Sequence, residues 1–272
     1  MGKIISLVNQ KGGVGKTTTS INLSASLAVL GKNVLLVDLD PQGNATTGIG
    51  ICKGDIDKSV YDVLTDKCPI EEAIIRTKFK RLDVLPATIN LAGIDIELIE
   101  KSREEPTFSK GNQLKSKIDT IKDRYDYIIM DCPPSLGIIT LNSLFAADSC
   151  LIPVQCQFLA IDGLTQLLNT IKTVQKRKKV LDKNLQIEGI LLTMLDKRVI
   201  SSWQIVNEIK ECFGEKVFKT IINVNVKAQI APTVGKPVIA YASRCPASKQ
   251  YKELAKEIVK NNGWKKNITW FN

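Results

Sequence analysis

A short glycine-rich segment near the start of the chain carries the residue types that bind phosphate groups. Residues 10–18 read Gln-Lys-Gly-Gly-Val-Gly-Lys-Thr-Thr and directly follow a mostly apolar run at residues 4–8. Glycines let the backbone turn so that successive N–H groups point at one anion. Lys16 would place a positive charge beside the β- and γ-phosphates, and the Thr17 hydroxyl would ligate Mg²⁺. The segment predicts a nucleotide phosphate-binding loop at the start of a helix, whose dipole favours anions.

A second lysine inside this loop distinguishes it from the common pattern. Gln10 stands where that pattern has a glycine, and Lys11 follows it. The backbone amides of the loop already fill the space beside its own phosphates, so we expect the Lys11 side chain to point away from them. It is then free to reach a nucleotide held by another subunit. The alternative interpretation is a solvated loop lysine. The phosphate-binding residues expected from the loop are Lys11, Gly12, Gly13, Val14, Gly15, Lys16, Thr17 and Thr18.

Two aspartates end apolar runs elsewhere in the chain. Asp38 closes the run at 33–38, and Asp131 closes the run at 127–131. If both runs are parallel strands, both carboxylates lie at the sheet edge that also holds the phosphates. We therefore predict that they face Mg²⁺ together with Thr17, directly or through water. Two alternatives stay open: Asp38 as a structural carboxylate bonded to loop amides, and Asp131 acting only through water.

The pattern of apolar runs predicts the elements that position these groups. Strands are expected at 3–9, 33–38, 82–85, 127–131, 149–154, 186–193 and 217–222, with helices between them. This alternation predicts an α/β fold, a mostly parallel sheet with helices on both faces, in one domain over 1–272. Residues 41–57 and 101–113 read as loops. A helix beginning at Ser248 is expected to end at 261–263.

Composition narrows the class of protein further. The chain has 272 residues, 44% hydrophobic, with seven cysteines and no histidine. Those cysteines form no Cys-x-x-Cys pair, which argues against zinc and against a disulfide framework. No run reaches the ~20 apolar residues of a membrane helix. These features predict a cytoplasmic protein with reduced thiols and no membrane partner.

The positive charge is concentrated in the second half of the chain. The net charge of the chain is +10. Residues 151–272 contain 20 Lys and Arg but only 9 Asp and Glu, so the excess positive charge lies in this half. The nucleotide motifs lie in the first half, so this excess predicts a separate polyanionic partner. A general solubility surface is the alternative.

Taken together, the motifs resemble the ParA/Soj family of partition ATPases. The loop is similar to that family's deviant Walker A motif, and the resemblance continues through residues 35–44, 127–137, 189–196 and 231–237. It implies a P-loop NTPase fold that binds ATP and Mg²⁺ and forms an ATP-dependent homodimer. Asp40, Lys11 and Lys16 would be the catalytic groups, Asp40 positioning the attacking water. The alternative role for Asp40 is a turn residue before Pro41.

The resemblance also implies adenine and DNA contacts. Asn225 matches the position that holds the base, while Asn223 stands where the family has proline. Lys197, Arg198 and Lys227 match positions that contact DNA, with lysine in place of arginine at 227. Such contacts bind phosphates and carry no sequence information. A cluster at residues 176–179 reads more simply as a solvated helix end. A ParB-type centromere-binding protein would stimulate slow hydrolysis and release nucleoid DNA.

Two other functions share parts of this pattern. A membrane-associated positioning ATPase of the MinD type has the same loop but needs an amphipathic membrane-targeting tail. The residues after Gly263 include Trp264, Lys265, Lys266, Trp270 and Phe271, too short a pattern for such a tail. A DNA-bound regulator could instead use ATP only as a structural ligand. The presence of Asp40 argues against this function, because Asp40 would position the water for hydrolysis.

Overall fold

A seven-stranded sheet forms the centre of the computed structural model, which describes residues 2–105, 109, 111–157, 160–180 and 184–265. The strand order is β3-β4-β2-β5-β1-β6-β7, and every neighbouring pair except β3–β4 is parallel. The strands are β1 (Lys3–Leu7), β2 (Val34–Asp38), β3 (Ile75–Arg76), β4 (Leu82–Leu85), β5 (Tyr127–Asp131), β6 (Ser149–Gln155) and β7 (Gln186–Thr193). The mostly parallel α/β sheet predicted from the apolar runs is confirmed.

Helices cover both faces of the sheet. They are α1 (Lys16–Val29), α2 (Asn44–Gly48), α3 (Val60–Leu64), α4 (Ile70–Ala73), α5 (Ile94–Glu104), α6 (Gln113–Asp119), α7 (Ile138–Ala146), α8 (Ala160–Val180), α9 (Ile200–Phe213), α10 (Val226–Ile230), α11 (Val238–Tyr241) and α12 (Pro246–Lys265). Short 3₁₀ turns lie at Lys53–Asp55, Ile89–Gly93, Lys122–Arg124, Gly214–Lys216 and Ala231–Val234. None of the helices in the described ranges is long and apolar enough to cross a membrane.

Alternating side chains of the central strands build two separate cores. Ile4 of β1 packs with the helices α3 to α9, whereas its neighbour Ile5 packs with α1 and α12. Successive strand side chains point to opposite faces, so a strand covered on both sides is apolar at most positions. This explains the mostly apolar runs. The parallel pairing of Leu7 and Asp38 with Asp131 brings the ends of β1, β2 and β5 to one edge.

The segment 217–222, predicted as a strand, is not one. It forms an isolated bridge to β7 between Val217 and Ile190. Phe218 N also donates to Ile190 O, and Ile222 N donates to Leu192 O. The two donors are four residues apart in the segment, whereas their acceptors are two residues apart in β7. The segment backbone therefore bulges between Phe218 and Ile222. The amides inside the bulge, on Lys219 and Thr220, donate to the Glu257 carboxylate of α12 at 2.8 and 3.1 Å. The Glu257 side chain thus accepts the backbone hydrogen bonds that a neighbouring strand would accept in a regular sheet.

Other boundaries also differ from the predictions. The region 41–57 contains α2 and a 3₁₀ turn, and α5 continues to Glu104 inside the region predicted as a loop at 101–113. The final helix passes through 261–263 to Lys265, because Asn262 bonds to Glu188 of β7 at 2.9 Å instead of capping the helix. Lys266, Trp270 and Phe271 of the basic aromatic tail lie outside the described residues.

One member of the basic cluster at the end of α8 is buried. Lys178 is only 3% exposed, and its ammonium donates to the carbonyls of Leu144 and Ala147 at the end of α7. A cation at that position satisfies helix carbonyls that have no intrahelical partner. The solvated-helix-end interpretation is therefore wrong for Lys178, while Lys176, Arg177 and Lys179 are exposed.

Replacing Lys178 should therefore destabilise the protein far more than replacing its neighbour. We expect Lys178→Ala to lower the free energy of unfolding by about 1–3 kcal/mol, because buried carbonyls lose their donor. The exposed Lys179→Ala is the matched control and should change it by less than about 0.5 kcal/mol. Urea unfolding followed by circular dichroism measures both, and equal effects would contradict this role.

Candidate nucleotide-binding site

The predicted phosphate loop connects β1 to α1 and is anchored to two neighbouring strands. Asn9 donates from its amide to Pro153 O of β6 at 2.7 Å and accepts from Lys11 N at 3.0 Å. Thr193, the last residue of β7, donates to Val14 O at 2.9 Å. Both ends of the loop are thereby fixed to the carboxyl edge of the sheet, where phosphate sites of this fold class lie.

The glycines of the loop serve different purposes. Gly13 and Gly15 have φ of +74° and +87°, a left-handed conformation that other residues adopt only with strain. Gly12 is not in that region, and a Cβ placed on it meets no atom within 4 Å. The fold of one subunit therefore tolerates a side chain at 12. Lys11, Gly12 and Gly13 are exposed, whereas Val14 is buried.

Lys16 is almost fully buried, with an exposure of 7%. Its ammonium donates to Lys11 O at 3.1 Å and so folds back over the loop. Burial lowers the pKa of Lys16, while Asp131 and Asp40 raise it again in part. The structure thus brings the predicted phosphate lysine and two of the predicted carboxylates into one electrostatic cluster.

Asp131 is fully buried at the end of β5 and has one unused oxygen. Its Oδ1 accepts from Ser20 Oγ at 2.9 Å, while Oδ2 has no hydrogen bond of normal geometry within the described residues. Burial raises the pKa of this carboxyl, Asp38 raises it further, and the nearby Thr17 hydroxyl lowers it. A buried carboxylate oxygen without a donor, beside a hydroxyl, has the oxygen donor chemistry of a Mg²⁺ site. The residues therefore fit a magnesium ion.

Asp38, also fully buried, has both oxygens occupied. Oδ2 accepts from Thr46 N and Thr46 Oγ1 at 2.8 and 2.7 Å, and Oδ1 accepts from Asp40 N at 3.1 Å. Burial raises its pKa, and these hydrogen bonds lower it. The geometry favours the alternative in which Asp38 holds the loop after β2 in place. Direct metal ligation by Asp38 stays an untested prediction.

Asp40 is half-buried at the start of that loop. Its Oδ1 accepts from Gln42 N at 3.0 Å, and its carbonyl accepts from Gly43 N at 2.9 Å. The turn interpretation is thus realised in the structure. The same carboxylate is close enough to Lys16 to raise the pKa of that lysine. Both functions are compatible, because a carboxylate oriented by a turn can still face the phosphates.

Comparison with known proteins decides the family. The AAA domain family matches residues 2–187. The chain is 53% identical to the sporulation initiation inhibitor protein Soj of Bacillus subtilis over 96% of the chain and 100% of that protein. It is 45% identical to the chromosome-partitioning ATPase Soj of Treponema pallidum over 97% of the chain and 99% of that protein.

The chain belongs to the Soj/ParA family of chromosome-partitioning ATPases. Solved structures agree with this fold. One of them is the structure of cobyrinic acid a,c-diamide synthase from Mycobacterium smegmatis with bound ADP and magnesium. That protein is 32% identical to this chain. The TM-score is 0.81, and the match covers 97% of this chain and 96% of that one. The cell division ATPase MinD of Pyrococcus furiosus is 26% identical, with a TM-score of 0.74 over 96% and 100% of the two chains.

The two asparagines expected at the adenine of this Soj/ParA protein lie in the segment between β7 and α10. Asn225 caps α10, its side chain accepting from Lys227 N at 3.0 Å and Ala228 N at 3.3 Å. Asn223 bonds through its backbone to Gln250 of α12 and bridges to Leu195. Their contact with a base stays a prediction.

The three basic residues expected at DNA are all exposed, yet their surroundings differ. Arg198 forms a two-pronged pair with Asp196, at 2.9 Å from Nε to Oδ1 and 2.7 Å from Nη2 to Oδ2. This pair lowers the pKa of Asp196 to about 2. Lys227 lies 5.8 Å from the ring centre of Tyr241, and Lys197 O accepts from the Trp203 indole.

Sequence reasoning missed several residues that hold the site together. Asn9 and Thr193 anchor the loop, and Ser20 binds Asp131. Ser20 lies four residues after Lys16, one helical turn along α1, so its spacing was a usable signal. Asn9 and Thr193 are recognisable only once the order of β1, β6 and β7 is known.

The Asp38–Thr46 contact generates a stability prediction. Thr46→Val removes the hydroxyl that donates to a fully buried carboxylate and also accepts from Ala87 N. We expect a loss of about 1–3 kcal/mol in the free energy of unfolding without nucleotide. Thr47→Val is the matched control, because among the described residues the Thr47 hydroxyl bonds only to the carbonyls of Gly43 and Asn44, at the start of its own helix. Similar losses in the two variants, measured by urea unfolding, would show that Asp38 does not depend on Thr46.

Proposed function

We propose that this chain, as one domain over 1–272, is an ATP- and Mg²⁺-dependent ATPase that segregates chromosomes or plasmids. Two ATP-bound subunits pair face to face, and the pair binds DNA without sequence preference on the nucleoid, in the cytoplasm. A ParB-type centromere-binding protein stimulates hydrolysis, which separates the subunits and releases the DNA. The 53% identity to Soj, against 26% to MinD, favours partitioning over membrane positioning.

The observation that carries this proposal is that the two loop lysines differ in burial and direction. Lys16 is buried and faces its own loop, whereas Lys11 lies on an exposed tip with Gly12 and Gly13. The Lys11 carbonyl accepts from the Lys16 ammonium. The Lys11 side chain makes no hydrogen bond or ion pair within the described ranges. A lysine so placed can neutralise phosphate charge on a second subunit, a stabilisation used widely in phosphoryl transfer.

The metal and the attacking water have separate candidates. Thr17 and the free oxygen of Asp131 would hold Mg²⁺, directly or through water, with Asp38 supporting the adjoining loop. Bound Mg²⁺ supplies positive charge that stabilises the transferring phosphoryl group. Asp40 is the candidate that orients the water. Asn223 and Asn225 are the candidates for the adenine, with Gly13, Val14, Gly15 and Thr18 completing the phosphate loop.

Dimerisation extends the basic surface formed by Lys197, Arg198 and Lys227. One subunit presents only half of that surface, so DNA binding follows ATP binding. Within a subunit Arg198 is already paired with Asp196, so DNA phosphate must compete with a carboxylate for the same guanidinium. Exposed pairs of this kind contribute little energy, so DNA phosphate can displace the carboxylate from Arg198.

Substitutions at 11, 12 and 16 separate nucleotide binding from dimerisation. Lys16→Ala should weaken ATP binding by roughly 10–100-fold, because a charge-assisted contact contributes about 1.5–3 kcal/mol. Lys11→Ala and Gly12→Val should bind ATP with nearly normal affinity yet remain monomeric. Calorimetry gives the affinities and sedimentation velocity with ATP gives the assembly state. Loss of ATP binding in Lys11→Ala would place that lysine in its own subunit's site.

Asp40→Ala should trap the ATP-bound dimer. Without a group to orient water, hydrolysis should fall by roughly 10²–10⁴-fold while ATP affinity is retained. Size-exclusion chromatography with ATP should then show a persistent dimer, with the exposed Asp55→Ala as control. A variant that hydrolyses ATP at the normal rate would remove Asp40 from the mechanism.

Charge changes on the basic surface should alter DNA affinity in opposite directions. Arg198→Glu with Lys227→Glu should abolish binding to unrelated duplexes while leaving the ATP-dependent dimer intact. Asp196→Asn frees Arg198 and should tighten binding by about 2–5-fold. Wild-type affinity should fall by an order of magnitude or more between ~50 and ~200 mM salt. Fluorescence anisotropy measures these affinities; normal binding by the double variant would move the DNA surface elsewhere.

A further inference from the structure

A basic groove lies at the end of the sheet opposite the phosphate loop, and its cations belong to residues 1–150, the half of the chain that carries no net positive charge. It is formed by the β3–β4 turn, the end of α1 and the helix α11, with a volume of about 530 Å³. Its lining residues are Ala25, Ala28, Val29, Gly31, Lys78, Phe79, Lys80, Arg81, Ile239 and Ala240. These residues contain three cations and no carboxylate. Strands β2 and β4 begin beside it, as Val34 pairs with Leu82.

The floor of this groove is apolar and partly open to solvent. Val29 is 57% exposed at the last position of α1, beside Ala25 and Ala28. Ile239 of α11 is half-buried on the same floor, next to the exposed Ala240. A large aliphatic side chain left open inside a concave surface is a candidate anchor site for an apolar group of a ligand.

The rim is a rigid turn that directs its cations outward. Thr77 Oγ1 donates to Leu82 O at 2.6 Å and accepts from Phe79 N at 3.0 Å, which fixes the turn. Phe79 packs into the core, while Lys78 and Lys80 on either side are exposed and make no ion pair within the described residues. Their positive charge is therefore available to a ligand.

Arg81 adds a backbone feature to this rim. It has φ of +66°, in the left-handed region where glycine or asparagine would be less strained. Its Nη1 donates to Asn33 Oδ1 at 3.1 Å, and its carbonyl accepts from Val34 N at 2.9 Å. The turn thus holds Arg81, which lines the groove, in a strained backbone conformation.

We propose that this groove docks an acidic peptide segment of a partner protein, with one large apolar side chain of the peptide on the Val29 floor. Carboxylates flanking that side chain would pair with Lys78, Lys80 and Arg81. A nucleic-acid backbone would pair with the cations but has no apolar group for the floor. A membrane surface is flat and fits a concave site poorly. Because the groove is remote from the phosphate loop, docking requires no ATP.

The test is fluorescence anisotropy with a short labelled peptide in which glutamates flank a leucine pair, without nucleotide. Lys78→Glu with Lys80→Glu should weaken its binding at least about tenfold, and Val29→Asn about threefold or more. Lys216→Glu with Lys219→Glu is the control, because both are exposed lysines near β7 at the far edge of the sheet. That pair should leave the affinity within about twofold.

Specific outcomes would overturn the proposal. Undetectable peptide binding, or unchanged affinity in the Lys78/Lys80 variant, would reject the groove as a peptide site. Equal binding of a peptide with serines in place of the leucines would show that the apolar floor is unused. Preferential, Lys78/Lys80-dependent binding of duplex DNA or of phosphatidylglycerol vesicles without ATP would assign the surface to those ligands. Normal ATP turnover in the groove variants separates any such failure from failure of the partition function.

Discussion

Burial of charge at the carboxyl edge of the sheet is the constraint on which the rest of this structure depends. Asp38 and Asp131 are fully buried and Lys16 nearly so. Burial raises the pKa of both carboxyls and lowers that of the lysine, so each charged form is costly unless it has partners. Thr46 satisfies Asp38, whereas Asp131 Oδ2 has no donor of normal geometry in the part of the chain that the structure describes. Mg²⁺ and phosphate would complete this set of charges.

The elements around that edge hold the charged groups in position and leave one surface open. Asn9 and Thr193 fix the loop to β6 and β7, and α1 carries Lys16, Thr17 and Ser20 on its first turns. The exposed tip at 11–13 needs no side-chain contact within the subunit. In the proposed mechanism, the anchored part of the loop serves the subunit's own nucleotide, and the exposed part meets a second subunit.

The sequence predicted the strands that are buried on both faces, because their apolar runs have a single interpretation. It also predicted that Lys16, Thr17 and Asp131 lie at the same edge of the sheet, because their positions follow from strand ends and loop spacing. The segment 217–222 was misjudged because its apolar residues face the core while Glu257, distant in sequence, takes its amides. Lys178 was misjudged for a similar reason, since the carbonyls that receive its charge belong to α7. Such contacts depend on tertiary structure and leave no local pattern.

The most direct test of the account is DNA binding by one preparation in three states: with ATP and Mg²⁺, with ADP and Mg²⁺, and without nucleotide. In the proposed mechanism, ATP completes the buried charges, joins two exposed loop tips and so doubles the basic surface. It predicts affinity at least about tenfold higher with ATP, a difference of roughly 1.4 kcal/mol, for unrelated duplexes alike. Equal affinity in all three states would contradict it, because the basic surface would then be complete without the nucleotide.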